Sequence, residues 1–299
     1  MVDILVLGNV NADWVFRLDA PVHAGLETSG EDLGLRPGGA AANAASALAV
    51  AGNRARLVGF VGSDEIGDRL LALMAEDGRP WDTAGIVRLP GPTPACLILI
   101  DPNGERVIIG THRNTTPPDW PEINMDGVAC AYAASRWGLP APLAARLRAA
   151  EIPLVCQWRP GYTVAAAQVL VVSEDEVPPG HADDPWRGVQ AEGLAPEWLV
   201  VTQGARGAYA TDGTTRLTCP AAPATVVDAT GAGDAFAAGL VHGLARRWPM
   251  EACLATGSAW GARAVGHLGS TFPKVSEDIA SDPGIAAVTR HHAAKVTSD

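Results

Sequence analysis

The sequence predicts an α/β fold, a doubly wound and mostly parallel sheet with helices on both faces and a small β-sheet lid. Three observations predict it. Strand-like apolar runs alternate with helical segments along most of the length, the rhythm that stacks βα units into a parallel sheet. A strand-to-helix turn rich in glycine, VVDATGAGDAFAAGL at 226–240, stands in the C-terminal third. Two strand-rich excursions, 11–36 and 94–112, interrupt the rhythm and do not read as βα units. The expected division is therefore a core of 1–10, 37–93 and 113–299, and a lid of 11–36 and 94–112.

Taken in order, Ile4 to Leu7 form a first strand, reading as a buried strand and not as a signal peptide, and it ends in the loop GNVNAD, Gly8 to Asp13. Loops at the C-terminal ends of parallel strands are where open α/β sheets hold ligands, which places Asn11 and Asp13 to meet one. Their side chains suit a polyol, since Asp accepts from hydroxyls and Asn both donates and accepts. An Asx-turn explains the same pair equally well. Trp14 to Leu18 is a lid strand. RPGGAAANAASALAVAG, Arg36 to Gly52, is a helix with Gly38 and Gly39 before it and Gly52 at its stop position. Its alanines let something approach the helix start closely, and Asn43 is the polar exception.

Leu57 to Val61 is a buried strand; Gly62 and Asp64 turn the chain and cap a helix carrying Ile66, Leu70, Leu73 and Met74 on one face. ACLILI, the turn DPNG at 101–104 and Arg106 to Ile109 make the lid hairpin. Strands follow at Val128–Ala134, Pro153–Trp158, Gln168–Val172 and Trp198–Thr202, with helices at Pro142–Ala150 and near Pro185–Glu192. In VTQGARGAYATDG, Val201 to Gly213, Gly204 and Gly207 form a tight turn between two strands. Met250 to Gly266 is an apolar helix, and the tail after Pro283 reads as exposed or frayed.

The chain has 299 residues, 47% hydrophobic and 18% charged, enough for one large α/β core. A net charge of -11 argues against nucleic acid, whose binding depends on basic surface. Five scattered cysteines without C-x-x-C spacing indicate neither a disulfide framework nor zinc, and fit a reducing cytoplasm. No run approaches the roughly 18 apolar residues of a membrane span.

The 226–240 stretch carries the chemistry. Thr225, Val226 and Val227 read as a strand, Gly231 and Gly233 as the turn, and Phe236, Leu240, Val241 and Leu244 as one helix face. Such a turn leaves backbone N–H groups unpaired at the positive end of the new helix, the arrangement that holds phosphate. Asp234 sits where an anion would land. Binding phosphate needs no carboxylate, so Asp234 fits a different task, taking a proton from an attacking hydroxyl.

GNVNAD, GGAAAN, VTQGARG and DATGAGDAFAAG, in this order over almost the whole chain, resemble the ribokinase-like (PfkB) family of carbohydrate kinases. The resemblance implies a three-layer core, a lid over a sugar or nucleoside, and ATP along the C-terminal half. It assigns Asp234 as general base and the amides of Gly231, Ala232 and Gly233 as an anion hole. It assigns Asn11, Asp13, Gly38, Gly39 and Asn43 to the substrate, and Thr202, Gly204 and Gly207 to the nucleotide. Glu176 would meet Mg²⁺ through water, and Asp228 and Thr230 match positions that bind a monovalent cation such as K⁺ in many relatives. A homodimer through the lid is implied as well. The chain departs from many relatives at Gln157, Ser173 and Ala229, and from ribokinases proper at Ala40 and Ala41, so the resemblance is to the family more than to ribokinase itself.

The expected activity is transfer of the γ-phosphoryl of ATP to a hydroxymethyl group of a sugar or nucleoside. Arg113 reads either as a contact for a phosphate on a phosphorylated acceptor or, the commoner outcome, as a solvated arginine; Trp14 reads as stacking on a sugar or base or simply as packing. A dinucleotide oxidoreductase is a weaker reading, because G-x-G-x-x-G counted from Gly231 puts Phe236 at the third glycine. The absence of GxxxxGK[ST] excludes a P-loop kinase. A non-catalytic sugar- or nucleotide-sensing relative remains the alternative.

Overall fold

Ile4 to Leu7 are wholly buried because they occupy the middle of β1 (Asp3–Asn9), the strand at which the main sheet changes direction. In the computed structural model, which describes residues 1–111, 118–159, 167–177, 179–270, 272–273 and 288–292, β1 lies parallel to two neighbours. On one side is β4 (Arg54–Gly62) and on the other β8 (Val128–Ala134). Before reaching β4 the chain leaves the sheet for β2 (Asn11–Leu18) and β3 (Gly30–Gly38), and returns through helix α1 (Ala40–Val50). Helix α2 (Glu65–Glu76) then leads to β5 (Trp81–Leu89) at the sheet edge. A second departure makes β6 (Ala95–Ile100) and β7 (Arg106–Gly110), after which β8 opens the other half.

That half runs through α3 (Ala141–Ala149), β9 (Leu154–Gln157), β10 (Val169–Ser173), α4 (Pro185–Ala191) and β11 (Trp198–Thr202), all four strands from β8 onward being parallel. Three antiparallel strands finish it: β12 (Ala208–Thr211), β13 (Thr215–Cys219) and β14 (Thr289–His292). Helices α5 (Ala232–Leu244) and α6 (Met250–Val265) pack on one another. Alternation along β1 divides the core in two. Ile4 and Val6 join α1, α2, α5 and α6 on one face, while Leu5 and Leu7 join α3 and α4 on the other. That is the three-layer α/β arrangement, and the strand order reverses between β1 and β8, the place where open sheets bind ligands.

Local signals explain the helix ends. Asp64 accepts the amide of Gly67 at 2.9 Å as the N-cap of α2, and the same carboxylate accepts the Thr93 amide at 3.0 Å, tying the entry to β6. Gly52 lies one residue beyond the C-cap Ala51 of α1, with φ 73°.

The second sheet has the order β3-β2-β6-β7, with β2 and β6 parallel and the outer pairs antiparallel. One of its faces buries Val15, Cys96, Ile98 and Ile100 against Leu33 and Leu268. Strand β7 is exposed throughout, including Val107, Ile108 and Ile109.

Three sequence expectations change here. Thr225 to Val227 form no strand; Val226 and Val227 are exposed, and the amides of Val227 and Asp228 both bond the carbonyl of Val265 at the end of α6. Propensity favoured a strand, but among the described residues no strand pairs with the segment. Part of the tail, 289–292, is ordered and pairs with β13, with 289–291 exposed as expected; residues 293–299 lie outside the described residues. β5 and β13 were not anticipated: β5 is half-buried without a clean alternation, and β13 alternates only over the short span that buries Leu217 and Cys219. No helix among the described residues is long and apolar enough to cross a membrane.

Candidate active site

Helix α5 begins without a side-chain cap. Its N-cap, Gly231, has φ 76° and ψ 0°, and a Cβ there would lie 2.6 Å from the Ser270 carbonyl oxygen, so both the conformation and the space demand glycine. The Ala232 amide reaches the Ala229 carbonyl at 3.3 Å. Among the described residues the amides of Gly231, Gly233 and Asp234 find no acceptor. A helix end with several open N–H groups is suited to an anion. The geometry thus adds the Asp234 amide to the expected set and commits that of Ala232 in part.

The Asp234 side chain stands in the first turn of α5 and accepts a hydrogen bond from Asn43 Nδ2 at 2.8 Å. Asn43 belongs to α1, is 6% exposed, and its Oδ1 is buried with no partner among the described residues. Burial pushes the Asp234 carboxyl above its ordinary value, and the charge of Glu176 adds to that, against the Asn43 hydrogen bond and the charge of Arg159. A carboxylate held in contact with a donor, with raised proton affinity, is equipped to act as a base.

Asn11 and Asp13 are buried at the start of β2. The Asp13 carboxylate lies flat against Gly38, where a Cβ would come 1.9 Å from Oδ2. Gly39, the N-cap of α1 with φ 90°, brings the helix start against the carbonyl of Asn9. Asn11, Asp13, Gly38 and Gly39 are therefore gathered at one place, since Asn11 pairs with Gly38 across β2 and β3. A cavity of about 310 Å³ continues from Asn11, walled by Phe60, Pro92, Arg136 and Trp137. The indole Nε1 of Trp137, one of those walls, is buried without a partner among the described residues. Trp14, on the opposite side of β2 from Asp13, is 44% exposed, stacks on Phe16 and donates to Asp32 at 2.9 Å; it packs at the surface. Arg113 lies outside the described residues.

At the C-terminal ends of β10 and β11, Thr202 pairs in register with Ser173 and its hydroxyl donates to the Val172 carbonyl at 3.4 Å. Gly204, φ 55°, borders open space, whereas Gly207 backs on Cys219 and Ala221. Gln203 donates to Glu174 at 2.7 Å, and Arg206 pairs with the same carboxylate. Glu176 is paired with Arg159 at 2.9 Å. That ion pair takes Oε1 only and about a third of the Glu176 side chain stays exposed, so, unlike a buried carboxylate, Glu176 keeps Oε2 for an outer contact with the Mg²⁺ that accompanies a nucleotide, an ion that keeps most of its waters.

The Asp228 and Thr230 pair has a different occupant. Asp228 is 5% exposed; its Oδ1 accepts the Thr230 amide at 2.8 Å and hydroxyl at 2.6 Å, and its Oδ2 accepts the Gly269 amide at 2.8 Å. Arg106 Nη1, from the start of β7, donates to Asp228 Oδ1 at 2.8 Å and also to the Thr230 hydroxyl. Burial works to raise the Asp228 pKa, but these hydrogen bonds and the Arg106 charge bring it below the ordinary value. The oxygens that would ligate K⁺ face a guanidinium, so this donor set does not fit the ion.

Four residues outside the expected set bear on the site. Arg106 and Arg159 bring charge to it, Gly269 binds Asp228, and Ser270 places its carbonyl under Gly231 and its hydroxyl 3.4 Å from Asp13 Oδ2. Glycine and serine in GHLGS read only as a helix end in the sequence. For the arginines the one available signal was position, at a hairpin start and just past a strand end.

The three-layer sheet, its small second sheet and the cluster at its switch point define a ribokinase-like α/β protein. The pfkB family of carbohydrate kinases matches residues 1–135 and 164–277, and the chain belongs to that family. It is 28% identical over 295 residues to an ATP-dependent ribose-1-phosphate kinase of Halopiger xanaduensis, covering 94% of this chain and 98% of that protein. It is 26% identical over 277 residues to a cytidine kinase of Thermococcus kodakarensis, covering 86% and 94%. Among solved structures, phosphofructokinase-2 from Escherichia coli in complex with potassium superposes with a TM-score of 0.71 at 18% identity, over 93% of this chain and 96% of that one.

Proposed function

We propose that this protein is an ATP-dependent kinase that transfers the γ-phosphoryl group to a hydroxyl of a sugar, a sugar phosphate or a nucleoside. One observation carries the reading: Asp234, with raised proton affinity, stands in the same helix turn as the open amides of Gly231 and Gly233 and is held by Asn43. A hydroxyl presented at Asn11 and Asp13 lends its proton to Asp234 as it attacks. The amides at the start of α5 hold the charge of the transferring group. Asn43 Oδ1, without a partner among the described residues, is left to accept from the acceptor. The small sheet serves as the lid that excludes water, and Thr202, Gly204 and Gly207 form the nucleotide side. When bound, Mg²⁺ supplies charge neutralisation between nucleotide phosphates; Glu176 would hold one of its waters.

The cavity beyond Asn11 leaves room for more than a free pentose. Its aromatic walls suit a base, and Arg136 with the Trp137 N–H suits a phosphate, the two acceptor types named for the relatives above. The test is ADP production with Mg²⁺ over a panel of free sugars, sugar phosphates and nucleosides. Turnover on at least one is expected. Silence across the panel together with saturable acceptor binding would replace the kinase reading with a sensing one.

β7 is an edge strand with Val107, Ile108 and Ile109 exposed, and an apolar edge of this kind is a template for pairing with a second chain. A homodimer through the small sheets is the expected state, checked by light scattering at micromolar concentration; a monomer there would refute it. The five cysteines are buried free thiols, which supports a cytoplasmic location.

A further inference from the structure

We infer that Arg106 supplies, from within the chain, the positive charge for which a monovalent cation would otherwise be needed at Asp228 and Thr230, so that this protein works without K⁺. Asp228 is an almost fully buried carboxylate three residues before Gly231, where the open amides begin. Left alone, its charge would oppose any anion drawn to those amides, and it would be costly to bury. Both its oxygens already accept, from the Thr230 amide and hydroxyl and from the Gly269 amide, so the pocket is built around the carboxylate and not around a carboxylic acid that would need an acceptor of its own. A cation at this point is a structural requirement, and the Arg106 guanidinium meets it at 2.8 Å from Oδ1 while also bonding the Thr230 hydroxyl.

The placement of Arg106 follows from the small sheet. Arg106 opens β7 opposite Ile100, directly after the turn closed by the Asp101 amide on the Glu105 carbonyl. That turn approaches the 227–230 loop closely enough for a Cβ at Gly104 to lie 3.9 Å from the Val227 carbonyl. A guanidinium has fixed planar donors and does not dissociate, so its occupancy is independent of salt. A second consequence is that the charge belongs to the small sheet and is present only when that sheet sits on the core. The charge assignment stands on this geometry; only its link to phosphoryl transfer rests on the kinase reading.

The test uses thermal melting of the full chain in potassium, sodium and tetramethylammonium chlorides at matched ionic strength, with wild type, Arg106→Ala and Arg106→Lys. Wild type is expected to melt within about 1 °C in all three, since an ion without a site gives no binding shift. Arg106→Ala should melt several degrees lower in tetramethylammonium and recover selectively in K⁺, whose size and oxygen preference suit the vacated carboxylate and hydroxyl. Arg106→Lys should fall between them without K⁺ selectivity. A K⁺-selective shift in wild type overturns the inference, as does an unchanged Arg106→Ala. Loss in Arg106→Ala without selective recovery also overturns it, reducing Arg106 to a tether. ADP production on an active acceptor supplies the parallel readout, with kcat of Arg106→Ala gaining K⁺ dependence. Inactivity of wild type on every acceptor would count against the kinase reading while the melting result still decides the charge.

Discussion

Asp234→Asn is expected to leave a folded protein whose melting temperature is no lower than wild type and whose kcat falls by about 10²- to 10⁴-fold, the range for loss of a positioned general base. The substitution keeps the shape, and Asn43 Nδ2 still finds an oxygen to donate to. The stability direction follows from linkage. The folded state holds the Asp234 proton more tightly than the unfolded state, whose ordinary value is 3.8. At neutral pH the ionised side chain therefore works against folding, and that cost appears as pH rises through the folded pKa. Removing the charge removes the cost. The same shift sets the pH profile: kcat/KM of the wild type should decline as pH falls through a value above the ordinary 3.8 of an aspartate. Melting curves and ADP production between acid and neutral pH check both halves, and a variant with near-normal kcat would remove Asp234 from the role of base.

Much of this arrangement was legible in the sequence because it depends on local rules. Glycine with positive φ at the N-cap of α5, an Ala-rich α1 entered through Gly38 and Gly39, and DPNG between two apolar strands each follow from short-range sterics. Periodicity likewise marked β1, β4, β8 and α6. Contacts made across long sequence separations were not legible. Nothing in the sequence joins Arg106 to Asp228 across 122 positions, or Ser270 to Asp13 across 257, and the fold alone brings them together. Asn43 illustrates both cases: its motif placed it at the acceptor, while the structure sets its amide on Asp234, 191 residues away. Val226 and Val227 show the converse. β-branching favours a strand, but tertiary context put the segment in a loop held by one carbonyl of α6.

A methyl group at Gly231 is opposed twice, by the backbone conformation and by the space. Gly231→Ala must hold a left-handed conformation at φ 76°, which costs alanine about 1–2 kcal/mol. Its Cβ would stand 2.6 Å from the Ser270 carbonyl oxygen, a backbone atom that no rotamer change can clear. Either α5 or the 268–270 loop then moves. If the loop moves, Gly269 loses its bond to Asp228 and Ser270 its contact with Asp13; if the helix moves, the open amides and Asp234 shift together. Both routes reach the phosphoryl end, so kcat is expected to drop by about 10²- to 10³-fold, the loss typical of a displaced oxyanion donor. The melting temperature should fall by several degrees. Gly233→Ala separates this from any general intolerance of the turn. A Cβ at Gly233 meets no atom within 4 Å, and its φ lies outside the left-handed region, so this variant should melt at or above wild type. Equal melting of Gly231→Ala and wild type would mean that the 268–270 loop yields freely, and that the close contact at the helix start does not organise the site.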